Sequence, residues 1–241
     1  MKKCIEIYDL GNTPYQSAWD LQKTIQEQLK VQKKKLREEN GSEKHLNDVL
    51  LFVEHPHVYT LGKSGNAAHL LKGLSELSEM DAEYIEIDRG GDITYHGPGQ
   101  IVGYPIMDLD RYFTDIHKYL RHLEEIIIRT CADFDIVASR IDGLTGVWVG
   151  NEKICAMGIR CSRWVTMHGF AMNVNTDLSY FDHIVPCGIN NKAVTSLSKI
   201  SGKKVDENEV KLRIVKHFAD LFGVTVKQVP KPERKQQISY I

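Results

Sequence analysis

The 241-residue chain carries 31 lysines and arginines against 32 aspartates and glutamates, a formal net charge of −1, so no general electrostatic drive toward nucleic acid or a membrane surface is expected. With 42% hydrophobic residues it can bury a sizeable core, and one domain over residues 1–241 is the expected organisation. Apolar runs stay short of the roughly 18 residues a membrane span needs, Glu6 and Asp9 interrupt what would be the core of a signal peptide, and five cysteines without C-x-x-C spacing fit a reducing, cytoplasmic setting.

Along the chain, residues 4–8 read as a strand. A helix follows, with Thr13 as N-cap, Pro14 at the first helical position and a polar tail reaching about Asn40–Gly41. The charged run Lys33 to Glu39 reads as a solvated helix end, with a docking face for an acidic carrier protein as the alternative. Residues 48–53 and 58–61 read as strands around the turn His55-Pro56-His57. Its histidines have no third ligand nearby in sequence, so they are read as the rim of a site, not a metal centre. Residues 67–81 have short helical periodicity and form, with Gly65 and Gly73, a segment able to cover a ligand.

The alternating strand Tyr84-Ile85-Glu86-Ile87-Asp88 runs into Arg89-Gly90-Gly91-Asp92-Ile93-Thr94-Tyr95-His96-Gly97-Pro98-Gly99-Gln100. A wide hairpin would account for the glycines. It would leave Arg89, Tyr95, His96 and Gln100 unexplained, and a binding loop accounts for both, because glycine lets a ligand approach the backbone closely. Residues 101–109 read as a strand. The segment 114–134 reads as a helix with Ile116, Tyr119, Leu120, Leu123, Ile126 and Ile127 on one buried face.

Strand candidates then follow at 136–141, 146–149, 153–161 and 167–174, an order that implies antiparallel neighbours. Helical periodicity returns at 193–200 and 206–222, with a last strand at 224–229. The whole implies an α+β fold, an α/β two-layer arrangement with helices packed on a mixed, mostly antiparallel sheet. Among the cysteines, Cys187 stands out. Pro186 and Gly188 place it in a tight loop where a thiolate can meet a substrate, whereas Cys4 and Cys131 fall in regular elements and Cys155 and Cys161 read as packing.

The string from Arg89 to Gln100, followed by Tyr104-Pro105-Ile106, resembles the RGG-x-x-T-x-H-G-P-G-Q signature of the lipoyl(octanoyl) transferases. Two further segments resemble that family in order and spacing: residues 151–159 its K-I-x-x-x-G element, and 183–189 its P-C-G-I element. With His168-Gly169-Phe170-Ala171-Met172-Asn173 between them, the resemblance spans about residues 50–200. It departs from the pattern in the polar stretch 30–47 and at Cys155 and Cys161.

The resemblance implies the fold of biotin and lipoate protein ligase catalytic domains, with Cys187 as nucleophile and Lys153 as the group that lowers the thiol pKa or acts as base. It implies substrate contacts at Arg89, Gly90, Gly91, Asp92, Ile93, Thr94, Tyr95, His96, Ala156, Met157, Gly158, Gly169, Phe170 and Ala171. Backbone amides of these segments would suit an oxyanion, and His96 is left open between proton transfer and structural support. The implied donor is octanoyl-acyl carrier protein; the implied acceptors are lipoyl domains of 2-oxoacid dehydrogenase subunits and the glycine cleavage H protein. ATP, metal and organic cofactor are not implied, nor are nucleic acid or membrane partners. Two alternatives remain: an ATP-dependent lipoate or biotin protein ligase, or a non-catalytic acyl-binding protein of the same fold.

Overall fold

A computed structural model describes residues 3–38, 46–185 and 193–230. In chain order the elements are β1 (Cys4–Asn12), α1 (Tyr15–Glu38), β2 (Asp48–Glu54), β3 (Val58–Leu61), α2 (Leu74–Glu79), β4 (Glu83–Glu86), β5 (Ile93–His96), β6 (Gln100–Ile106), α3 (Ile116–Ala132), β7 (Val147–Val149), β8 (Glu152–Ser162), β9 (Val165–Asn173), β10 (Ala193–Val194), α4 (Leu197–Ser201), α5 (Glu207–Phe222) and β11 (Thr225–Val229).

The main sheet has the order β10-β8-β9-β6-β2-β1-β11, with β7 added beside β8. The pairs β7/β8, β8/β9, β9/β6 and β6/β2 are antiparallel, while β2/β1, β1/β11 and β10/β8 are parallel. A small second sheet, β4-β3-β5, stands over it. This is the α+β fold with a mixed, mostly antiparallel sheet that the element order implied.

Strand alternation sends neighbouring residues of β2 to opposite faces. Val49, Leu51 and Val53 join Ala18, Ile25 and Leu29 of α1. Leu50 and Phe52 join Tyr119, Leu123, Ile126 and Ile127 of α3 and Ile214 and Phe218 of α5. Helices therefore cover both faces of β2, which is why that strand is almost uninterruptedly apolar. Among the described residues no helix is long and apolar enough to cross a membrane.

Four local expectations need correcting. Residues 136–141 do not form a strand: only Ser139 pairs, with Trp148, and Val137 is 90% exposed, so no apolar face holds the segment to the sheet. The helix expected from 193 starts later, because Ser196 caps α4 by accepting the Lys199 N–H at 3.1 Å, and Ala193–Val194 extend along β8 instead. The Thr13 hydroxyl donates to the Leu10 carbonyl (3.1 Å), and α1 opens at Tyr15. Residues 93–96, read as loop, are β5, pairing antiparallel with β3. The glycine-rich stretch is thus turn, strand and turn.

Candidate active site

A cavity of about 530 Å³, within the range of small-ligand sites, lies between the main sheet and the glycine-rich stretch. Its floor comes from β8 and β9, where Ala156 pairs with Ala171 and Gly158 with Gly169. Small residues facing each other leave the space that larger ones would fill. Met157 and Phe170 add apolar wall. The opposite side is Arg89, Gly90, Gly91, Asp92, Ile93, Thr94 and His96.

The glycine-rich stretch is held down by its backbone. Gly90 N–H donates to the Ile159 carbonyl at 2.9 Å, and a Cβ on Gly158 would stand 2.7 Å from the Gly90 oxygen, so β8 and the stretch touch main chain to main chain. Asp92 ties the covering segment to it, accepting the Asn66 N–H (3.2 Å) and pairing with His69 Nδ1 at 2.6 Å. At the far end Gly99, at φ +78°, accepts the Asn175 N–H (2.8 Å). A Cβ there would lie 2.6 Å from the Asn175 carbonyl. Gly99→Ala should therefore destabilise the protein by about 2–4 kcal/mol, through positive-φ strain and overpacking, measured as the loss in urea unfolding free energy.

Among the candidate residues, Arg89 is buried, its Nη2 donating to the Thr60 carbonyl (2.7 Å) and hydroxyl (3.0 Å), so its guanidinium builds the wall. His96 has a determinate tautomer. Gln100 Nε2 donates to Asn173 Oδ1 (2.9 Å) and the Tyr95 carbonyl (3.2 Å), leaving Gln100 Oε1 to accept from His96 Nδ1 at 2.8 Å. His96 Nε2 then faces the Thr60 hydroxyl at 3.4 Å. Burial holds this imidazole well below its ordinary titration range, so it is neutral. Both nitrogens have partners within the protein, which favours structural support over proton transfer.

Tyr95 does not reach the cavity. On β5 it alternates with Thr94 and His96, and it packs with Tyr59 and Phe181 while its hydroxyl meets His57 Nδ1 at 2.7 Å. The His55-Pro56-His57 turn is only partly a rim. His55 is fully buried, donating from Nδ1 to the Thr13 carbonyl (2.7 Å) and accepting from the Tyr104 hydroxyl (2.8 Å), and burial lowers its pKa to about 4. The described residues hold no cluster of three or more groups able to bind a metal ion.

Sequence reasoning passed over Tyr15, Tyr104, Trp148 and His168, which all line the cavity. His168 is 1% exposed and sits at φ +61°. Its Nε2 donates to Asp88 Oδ1 at 2.8 Å, and Nδ1 has no hydrogen-bond partner among the described residues. Nothing in its sequence position signals that conformation. Trp148 had a readable signal, since it lies across the short β7–β8 turn from Lys153.

Lys153 lines the cavity near Gly143, Leu144 and Thr145, with Nζ 4.7 Å from the centre of the Trp148 ring. Cys187 falls in 186–192, outside the described residues. Val194, which follows that segment, pairs with Lys153 across β10 and β8. Burial pushes the Cys131 thiol up to about 12 and the Cys155 thiol well above its ordinary range, so neither is a nucleophile near neutral pH.

Residues 14–219 match the family described as the lipoyl protein ligase A/B catalytic domain. The chain belongs to the lipoyl protein ligase A/B catalytic-domain family. Within this family's relatives, an octanoyltransferase of Flavobacterium psychrophilum is 54% identical over 233 residues, which is 94% of this chain and 100% of that protein. An octanoyltransferase of Cytophaga hutchinsonii is 54% identical over 231 residues, 93% of this chain and 95% of its own. The fold is that of lipoate-protein ligase A solved with ATP, at a TM-score of 0.71 and 15% identity, covering 95% of this chain and 89% of that one. In this chain the cavity lies where β6, β8 and β9 meet the second sheet.

Proposed function

We propose that this chain, an octanoyltransferase acting in protein lipoylation, works by two successive acyl transfers through Cys187. The observation that carries the octanoyl specificity is the 54% identity to octanoyltransferases over nearly the whole chain. In the first transfer the Cys187 thiolate attacks the thioester of octanoyl-acyl carrier protein, expelling the carrier thiolate and leaving an octanoyl thioester on the enzyme. In the second, the neutral ε-amine of a lysine on a lipoyl domain attacks that thioester. An amide forms, the Cys187 thiolate leaves, and the amine proton is released.

The acceptors are lipoyl domains of 2-oxoacid dehydrogenase subunits and the glycine cleavage H protein, in the cytoplasm. Lys153 holds the thiolate by its positive charge, as attacking group in the first transfer and as leaving group in the second. The small-residue floor at Ala156, Ala171, Gly158 and Gly169 suits an unbranched acyl chain, whose burial contributes about 0.8 kcal/mol per methylene. Exchange of one thioester for another is nearly neutral and thioester to amide is downhill, so the scheme runs without ATP.

Intact-protein mass after incubation with octanoyl-acyl carrier protein, without ATP, tests this. The wild type should gain about 126 Da, the mass of thiol octanoylation, labile to hydroxylamine, and Cys187→Ala should gain nothing. An adduct that persists in the variant, or transfer to a lipoyl domain that requires ATP, would overturn the scheme.

A further inference from the structure

The hairpin that carries Lys153 contains an irregularity. Val147 pairs with Cys155, but Trp148 pairs with Lys153, so Ile154 is an extra residue on β8 and the hairpin bulges there. Bulges beside active sites re-aim side chains. Here the bulge sets Lys153 opposite Trp148, with Nζ 4.7 Å from the ring centre. The indole is 2% exposed and does not swing freely. Its backbone is fastened by a reciprocal pair with Ser139, at 2.8 and 2.9 Å.

A second contact lies along the lysine stem. Lys153 Cε and Cδ are 3.4 and 3.6 Å from where a Cβ on Gly146 would sit, ordinary contact distances, so the stem runs alongside Gly146, while the Cys155 carbonyl, 2.7 Å from that point, is what a side chain there would meet. Gly146 is at φ +127° and donates its N–H to Glu124 Oε1 at 3.0 Å. Glu124 is fully buried and is itself paired to Arg121 (3.0 Å) and Arg140 (2.9 Å). The chain of contacts from α3 through Gly146 to Lys153 is continuous.

We infer that Trp148 is a positioning residue for the transfer reaction: its indole clamps Lys153, holding the ammonium over its face, and through that charge it favours the Cys187 thiolate of the scheme above. An aromatic face attracts a cation and not a neutral amine. Of the two ways a lysine activates a thiol, this geometry therefore selects the ammonium–thiolate pair over a neutral lysine acting as base. Other ionisable groups around the clamp are Glu124 with its two arginines on and beside α3, Glu152 and Cys155 on β8, and Lys199 on α4, which pairs with Glu152 at 2.8 Å. The inference rests on the acyl-enzyme scheme above.

The test is the pH dependence of iodoacetamide alkylation at Cys187, read by peptide mass on the folded protein, for Trp148→Phe and Trp148→Leu in both the wild-type and K153M backgrounds. In the wild type the alkylation midpoint should lie below the ~8.5 of a free thiol. Trp148→Leu should move it up by about half a pH unit or more. Trp148→Phe, which keeps a smaller π face, should move it less. In K153M neither change should shift it further.

A midpoint that stays put in the phenylalanine and leucine variants, or that moves equally with and without Lys153, overturns the inference; the phenylalanine arm decides the matter if the leucine variant does not fold. Failure of the underlying scheme looks different. There the wild-type midpoint itself is that of a free thiol and no octanoyl adduct forms.

Discussion

Lys153→Met should slow octanoylation of the enzyme about 10- to 30-fold at neutral pH, because a thiol that titrates near ~8.5 is only about 3% thiolate at pH 7. The isosteric stem keeps the contacts along Gly146 and the packing on Trp148, so the change removes charge more than shape. What is lost is the thiolate fraction. A free thiol titrates near ~8.5, so the variant's deficit should shrink as the pH is raised past that value. Single-turnover acylation by octanoyl-acyl carrier protein, followed by intact mass between pH 6 and about 9.5, measures both limbs. A variant equally slow at every pH would mean that Lys153 acts in some other way than by favouring the thiolate.

Acidification from pH 7 to about 5 should lower the unfolding free energy by about 3 kcal/mol, a large part of the 5–15 typical of a domain. His55 and His96 are buried and neutral, and burial lowers the pKa of the first to about 4 and of the second well below its usual value. The unfolded chain titrates near ~6.5. Below that pH it binds protons that the folded protein refuses, so stability falls with pH, and at pH 5 each imidazole has cost about 2 kcal/mol. For His55 the loss continues until the pH reaches about 4.

Asp48 works in the opposite direction. Burial raises its carboxyl to about 6 despite Arg111 at 3.2 Å, so the folded state takes up a proton more readily than the unfolded one and regains about 1 kcal/mol by pH 5. The histidines outweigh it. Urea unfolding at pH 7 and 5 gives the difference directly, and a His55→Gln, His96→Gln double variant should have a flatter profile. Equal wild-type stability at both pH values would mean that these imidazoles gain protons without unfolding the site.

The parts of the fold most legible in the sequence were those where one physical rule acts locally. The face of α3 was readable because Tyr119, Leu123, Ile126 and Ile127 recur at helical spacing and nothing else explains that spacing. The strands β2, β3, β8 and β9 were readable from short apolar or alternating runs between turn residues. The residues 136–141 misled because Ile136 and Val137 have strand propensity, while pairing depends on a neighbour that no local pattern reports. Residues 93–96 misled in reverse: the surrounding glycines hid a strand that exists because β3 is there to pair with.

For the site, the order of the motifs pointed to the family, and the 54% identity to octanoyltransferases carries the octanoyl transfer. The sequence by itself determined the glycines that let Arg89 to Gly91 lie against β8, and the Ala156, Gly158, Gly169 and Ala171 positions that leave the floor open. Only the tertiary structure decided that Tyr95 points away from the cavity, that His96 is satisfied by Gln100 and Thr60, that His168 adopts a left-handed conformation at the wall, and that a bulge brings Trp148 over Lys153. The reason is common to all four. Composition and spacing report which groups are present, but the direction of a side chain follows from strand register and from the partners that burial forces each polar atom to find.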